Sequence, residues 1–260
     1  MANAATAVAE PEAATPAYAG PSSRSADGFQ LSTGFIDANG QPLPQPRAGV
    51  PVSIYTTALD PAGHPLGALD RIGDAEMVGF LVARDLRHAF VASARAPVRE
   101  GADARSLTFA PPGGGDHALI AVFRPQAGAL HAVISPVSVT GNLPQLLGPG
   151  LSSLSMRAQT ADEHVELTLL PAQRMPTAPL DLKFDALDAE GHHHAPVHLA
   201  FAVLVDPPMG RAIVLEARED ASQLHWRNPE PGDWLLLAQP NTGDRPLAFH
   251  LHLPALPAKN

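Results

Sequence analysis

Apolar and polar residues alternate along most of the chain from Phe29 onward, which is typical of β-strands with one buried face. Phe29, Leu31, Thr33 and Phe35 fall on one face of the first strand, and Asn39-Gly40 then marks a turn. Residues 77–83 are apolar throughout, which predicts a central strand covered on both faces. Prolines and glycines interrupt the chain often, so we expect very little helix.

The alternating pattern occurs twice. Residues 52–64 recur as 180–192, and in both copies a strand is followed by Ala-Leu-Asp, two variable residues and Gly-His. Residues 107–121 recur as 224–238, with a Pro-Gly turn, a Gly-Asp pair and a second alternating strand. In this strand Trp234 of the second copy stands where the first copy has His117, and we expect both side chains to pack beneath the turn.

Each copy has seven or so short strands with turn signals between them, as an immunoglobulin-like sandwich requires. The predicted fold is therefore all-β, with two tandem immunoglobulin-like β-sandwich domains and a disordered N-terminal leader. We assign residues 1–26 to a flexible Ala/Pro-rich leader, 27–141 to the first sandwich, 142–152 to a linker and 153–260 to the second sandwich. The leader is interpreted as a tether; the alternative is a strand added to a sheet edge of its own subunit or a neighbour.

The charge balance argues against nucleic acid as a partner. The chain carries 26 acidic and 17 basic residues, for a formal net charge of −9, whereas a phosphate-backbone binder needs Lys and Arg concentrated on one face. Five arginines fall in one quarter of the chain with acidic residues between them, and we interpret them as a solvated face: Arg84, Arg87, Arg95, Arg99 and Arg105.

The chain contains no cysteine, which excludes disulfides, thiol catalysis, zinc ribbons and iron–sulfur clusters. No apolar run approaches 18 residues, so no transmembrane segment is expected. The first residues do not have the pattern of a signal peptide. We therefore expect the mature form of an exported bacterial protein, located in the periplasm or outside the cell.

Sequence motifs do not indicate an enzyme. No serine stands in a Gly-x-Ser-x-Gly elbow, and the Gly-rich corner at residues 111–115 lacks the Lys-Ser/Thr and the following helix of a phosphate-binding loop. Asp60 and Asp188 occupy the same point of both copies, so we assign them to the shared turn. No catalytic residue and no certain cofactor are predicted.

Histidine is the side chain that carries candidate chemistry. Seven of the 12 histidines fall from His192 onward, and on a regular strand His192, His194 and His198 would share a face. Imidazole groups on one surface suit copper or zinc, so the predicted metal-ligating residues are His192, His193, His194 and His198. A hydrophilic turn that binds metal only weakly and a pH-dependent switch are the two other interpretations of this loop.

The first copy also resembles a known family. The resemblance is carried by Gly73, by the run from Met77 to Leu86, by Leu107-Thr108-Phe109, by the run from Leu119 to Pro125 and by Gly128. These segments resemble small bacterial extracytoplasmic Ig-like domains of the YtkA-like and heavy-metal-associated secreted type. The resemblance implies a sandwich and an envelope location. It implies no metal site in the first copy, because Phe80 replaces the first family histidine and residues 91–94 replace the second histidine group.

The predicted function is that of a non-enzymatic exported binding or structural module, with transition-metal handling through the histidine cluster of the second domain. Its partners would be a metal ion or another envelope protein. The alternative is a subunit of a surface adhesin or filament that self-associates through sheet edges.

Overall fold

The computed structural model is all-β. It describes residues 23–25, 27–83, 89–99, 101–111, 113–142, 157–159, 164–170, 179–188, 190–206, 209–217, 222–227, 229–241 and 247–253. These ranges contain no helix, and hence no helix that could cross a membrane. Most of the predicted leader (1–26) and linker (142–152) lies outside the described residues, so the domain boundaries stay predictions.

The first copy forms a sandwich of two antiparallel sheets. One sheet has the order β1-β2-β4-β8 with β3 beside β2, and the other has the order β10-β9-β6-β7 with β5 beside β9. The strands are β1 (Ser23–Arg24), β2 (Gln30–Ile36), β3 (Pro42–Leu43), β4 (Val52–Leu59), β5 (Leu69–Asp70), β6 (Met77–Ala83), β7 (Ala89–Ala94), β8 (Ala104–Phe109), β9 (Gly115–Pro125) and β10 (His131–Val139). In β4, buried and half-buried residues alternate, as the sequence pattern predicts.

The second copy repeats this plan. Its sheets have the orders β11-β12-β13-β14, with β17 also beside β13, and β16-β15-β18-β19. The strands are β11 (Arg157–Gln159), β12 (His164–Leu170), β13 (Leu180–Leu187), β14 (His193–Pro196), β15 (Leu199–Val205), β16 (Ala212–Glu216), β17 (Gln223–Trp226), β18 (Gly232–Pro240) and β19 (Leu247–Leu253). The tandem Ig-like sandwich fold is confirmed: β2-β4-β8 matches β12-β13-β17, and β10-β9-β6-β7 matches β19-β18-β15-β16.

Each sandwich has its own apolar core between its two sheets. In the first core Ile54 of β4 and Leu107 of β8 pack with Leu81 of β6 and Phe123 of β9. In the second core the rings of Phe184 in β13 and Phe249 in β19 meet edge to face, with centroids 5.6 Å apart. The alternating residues of the strands therefore supply the two cores.

A third apolar cluster joins the two sandwiches. The outer face of the β10-β9-β6-β7 sheet packs against the outer face of the β16-β15-β18-β19 sheet. The buried residues of this interface are Ile72, Ala75, Val78, Phe80, Val82, Ile120, Val122, Leu130 and Ala132 from the first copy, and Phe201, Val203, Val205, Leu235 and Leu237 from the second. All seven residues of β6 are buried, which confirms that this strand is covered on both faces.

The interpretation of the five arginines as a solvated face is wrong for Arg105. Its side chain is 2% exposed and lies inside the first sandwich. The guanidinium donates to Glu76 Oε2 from Nε at 3.1 Å, to the carbonyl of Asp103 at 2.6 Å and to the carbonyl of Gly67 at 3.0 Å. Arg95, in contrast, is exposed and pairs with Asp74 at 3.0 Å.

Candidate functional site

The predicted histidine loop connects β13 to β14 across the turn Asp188–His192. Asp188 Oδ1 accepts hydrogen bonds from the backbone N–H groups of Glu190 at 3.1 Å and His192 at 2.8 Å. The His192 ring lies beside the same carboxylate, with Nδ1 3.4 Å from Oδ2. Gly191 has a φ of 84°, a conformation that favours glycine. The first residue of the predicted metal set is therefore part of the turn.

The first copy contains the same turn at residues 60–64. Asp60 Oδ1 accepts from the N–H groups of Ala62 and His64, both at 2.8 Å, and His64 Nδ1 lies 3.3 Å from Oδ2. The hydrogen bond from the His64 backbone holds the pKa of Asp60 below its usual value. The assignment of Asp60 and Asp188 to the shared turn is confirmed.

His193 occupies a different environment, on the outer face of the β12-β13-β14 sheet. Its Nδ1 lies 3.2 Å from Asp185 Oδ2, and its Nε2 lies 3.2 Å from Glu166 Oε2. The Asp185 side chain is 7% exposed, and its Oδ2 is also 2.9 Å from Lys183 Nζ. Both ring nitrogens of His193 therefore face carboxylate oxygens on neighbouring strands.

The other three predicted ligands do not join His193. The strand β14 begins at His193 and ends at Pro196, so His192 precedes it and His198 follows it. The regular strand from 192 to 198 that would place His192, His194 and His198 on one face is therefore not formed. His194 and His198 are exposed, and the carbonyl of His198 accepts from the N–H of Asn241 at 2.9 Å.

No group of three or more His, Asp or Glu side chains is placed to hold a metal ion among the described residues, which include all four predicted ligands. The assignment of a metal to His192, His193, His194 and His198 stays a prediction. Sequence reasoning missed the two carboxylates, Glu166 and Asp185, that contact His193. Their alternation within β12 and β13 places them on the outer face, but the sequence does not show which strand lies next to His193.

In the second copy, Trp234 packs beneath the turn as expected, and an ion pair lies above its ring. Trp234 is buried, and its ring meets Trp226 edge to face with centroids 5.4 Å apart. The guanidinium of Arg211 lies 4.9 Å from the Trp234 ring centroid and donates to both carboxylate oxygens of Glu230, at 3.1 and 2.8 Å. This hydrogen-bonded pair raises the pKa of Arg211 and lowers the pKa of Glu230.

In the first copy His117 takes the place of this tryptophan. It is 7% exposed, and its Nδ1 lies 3.1 Å from the carbonyl oxygen of Gly115. The prediction of a packed residue beneath the turn is confirmed in both copies. Neither corner contributes a histidine to the predicted metal set.

Comparison with known proteins does not assign the chain to a family: no family model and no curated protein sequence matches it. Among solved structures it is similar to FdeC, an adhesin of Escherichia coli, with 14% identity and a TM-score of 0.29 over 89% of this chain. The chain spans 65% of the length of that FdeC structure. It is also similar to the fibronectin(III)-like modules of Clostridium thermocellum CbhA, with 13% identity and a TM-score of 0.21 over 86% of this chain and 94% of that one. Similarities at these TM-scores carry no functional argument.

Proposed function

We propose that this chain is a non-enzymatic structural or binding module that acts outside the cytoplasm, with its two Ig-like domains working as one rigid unit. The observation that supports this proposal is the apolar interface between the domains. Domains in one chain move relative to each other by default unless the surface between them is large and hydrophobic. Here the contacting faces are apolar sheets, with Phe80 and Phe201 both fully buried.

Polar contacts at the margin of the interface support a fixed orientation. The carboxylate of Glu216 at the end of β16 accepts a hydrogen bond from the backbone N–H of Leu130 at 2.8 Å. The same oxygen, Oε1, lies 3.5 Å from Arg124 Nη2. Because hydrogen bonds require a definite geometry, these contacts favour one position of the second domain against β9 and β10. A rigid unit of this kind can hold other surfaces at a set distance.

The absence of cysteine from the chain allows a direct test of rigidity. Val98 in the first domain and Leu170 in the second are exposed, so Val98→Cys and Leu170→Cys place two spin labels without competing thiols. We expect electron paramagnetic resonance to give one narrow distance distribution in the otherwise unchanged protein. The same labels in a Phe80→Asp variant should give a broader one. A broad distribution before Phe80 is changed would contradict the rigid unit.

Location outside the cytoplasm has its own test. In cells of the source organism an epitope-tagged chain should appear in the periplasmic fraction or be degraded by protease added to intact cells. Recovery in the cytosolic fraction would contradict this part of the proposal.

A further inference from the structure

A shallow groove of about 210 Å³ lies on the outer face and edge of the β1-β2-β4-β8 sheet. It is lined by Tyr55 and Thr57 of β4, by Ala104 of β8 and by Leu43 and Pro44. Phe35 lines it at the edge of β2. Every residue that lines the groove is uncharged, although the chain as a whole has a net charge of −9.

The groove opens at a gap in the strand pairing of β2. On the side of β2 away from β4, Ser23 and Arg24 of β1 pair with Leu31 and Gln30. On the same side, β3 pairs with Phe35 and Ile36. Residues 32–34 lie between these two short strands; within the described part of the chain they pair with β4 on one side and have no strand partner on the other, and all three line the groove.

The connection between β1 and β2 is held in place by several contacts. Ser25 N–H donates to the carbonyl of Phe29 at 2.8 Å, and Phe29 N–H donates to Ser25 Oγ at 3.0 Å. Asp27 Oδ2 lies 3.2 Å from His131 Nδ1, and the Phe29 ring lies 4.1 Å from the His131 ring, centroid to centroid. These contacts hold the connection against His131 of β10.

We propose that the occupant of the groove is the segment that precedes β1, residues 16–22 of the same chain. If the antiparallel register of β1 continued by two residues, Ser22 would lie opposite Ser32 and Pro21 opposite Thr33, where the groove opens. Beyond that point β3 occupies the edge, so under this proposal the segment leaves the edge over the outer face. Tyr18 is five residues before Ser23, a reach of about 17 Å, whereas residues 32–36 of β2 extend over only about 13 Å.

The chemistry of the segment matches the groove. Residues 16–22 are Pro-Ala-Tyr-Ala-Gly-Pro-Ser, without a charge, and the acidic residues Glu10 and Glu12 lie further from Ser23. Tyr18 is its large side chain, and the groove offers it Phe35, Leu43 and Tyr55 as apolar contacts. The segment then covers a sheet edge that would otherwise be open to another chain. This inference does not depend on the proposed function.

The two tyrosines of the chain, Tyr18 and Tyr55, allow a direct test. Brief photo-oxidation of the full-length protein with a ruthenium complex and persulfate couples tyrosines that lie close together. We expect a dityrosine between Tyr18 and Tyr55 within one chain, seen as blue fluorescence in a product of monomer mass and identified by peptide mass spectrometry. The Tyr18→Phe variant keeps the apolar ring and should give no product.

Two results would overturn the proposal. A Tyr18–Tyr55 product of dimer mass would assign the groove to the segment of a second copy. No product at any dose that oxidises free tyrosine would show that the segment does not occupy the groove. Tryptophan fluorescence, measured before oxidation, checks that both proteins are folded alike.

Discussion

Phe80 of the first domain and Phe201 of the second meet edge to face across the interface, with ring centroids 6.0 Å apart and an interplanar angle of 74°. Aromatic pairs in this geometry contribute about 0.5–1.5 kcal/mol beyond the area they bury. In a double-mutant cycle with Phe80→Leu and Phe201→Leu, we therefore expect a coupling energy of that size in the free energy of unfolding, measured by urea denaturation.

Phe184 provides the control for this cycle, because it packs against Phe249 in the second core and not in the interface. The effects of Phe80→Leu and Phe184→Leu should add to within about 0.5 kcal/mol. Equal coupling energies in the two cycles would mean that the Phe80–Phe201 contact does not cause the coupling.

Among the arginines of the first domain, Arg105 should contribute most to the stability of the domain. Arg105→Ala removes the donors of three hydrogen bonds and leaves the carboxylate of Glu76, 18% exposed, without its cation. Breaking such a buried pair typically costs about 3–5 kcal/mol, which chemical denaturation should detect. Arg105→Lys should not restore stability, since an ammonium group lacks the planar set of donors with which the guanidinium reaches its separate acceptors.

The matched comparison is Arg95→Ala. The side chains of Arg95 and Asp74, which form an ion pair, are 76% and 68% exposed. The free energy of unfolding should therefore fall by no more than about 0.5 kcal/mol. Similar losses in the two variants would contradict the structural role assigned to Arg105.

Acid should change the environment of Trp234 through Glu230. The pKa of Glu230 lies below its ordinary value of 4.5 because Arg211 donates to its carboxylate. The stabilisation from this pair is therefore complete above about pH 4.5 and is lost as the pH falls through the lower pKa of the folded state. In a Trp226→Phe background, the fluorescence of Trp234 should follow this titration.

Glu230→Gln supplies the control for the acid titration, because its side chain cannot lose a charge. The transition should be absent from this variant. A transition of the same midpoint in Glu230→Gln would assign the fluorescence change to another carboxylate.

Gly114→Ala should destabilise the first domain. A Cβ at this position would overlap the backbone carbonyl of Gly141, next to the hydrogen bond from Gly114 N–H to the carbonyl of Asn142 at 2.7 Å. Overpacking against groups that cannot move aside costs about 1–3 kcal/mol. Gly67→Ala is the control, since its Cβ would make only an ordinary contact with Asp103. Equal melting temperatures of the two variants would contradict this prediction.

The predicted metal site can be tested by calorimetric titration with copper or zinc. If His192, His193 and His194 supply ligands, a variant with all three changed to alanine should lose binding. His225→Ala should keep it, because His225 lies outside the loop and pairs with Asp181 at 2.7 Å. Equal binding by both variants and the unchanged chain would exclude the loop.

The longer strands of both sandwiches could be predicted from the sequence because alternation records which face of each strand is buried. The unbroken apolar run of residues 77–83 even predicted that β6 is covered on both faces. What covers its second face could not be predicted, because Val78 and Phe80 would look the same beneath a helix, a partner or the second domain.

The candidate site was less predictable for a similar reason. His193 stands out as one of three adjacent histidines, but its contacts are with carboxylates on two other strands, Glu166 and Asp185. Arg105 also has its acceptors in segments distant along the chain, at Gly67 and Glu76. Such contacts depend on sheet order and register, which the local pattern of charges does not encode.

The interface between the sandwiches also has an evolutionary consequence. Each copy of the repeat buries the apolar sheet face that the other would expose, around Phe80 in one and Phe201 in the other. A single copy produced alone would therefore expose a large apolar surface and would tend to aggregate. We therefore expect the two copies to be inherited together, since either one alone would expose its apolar sheet face.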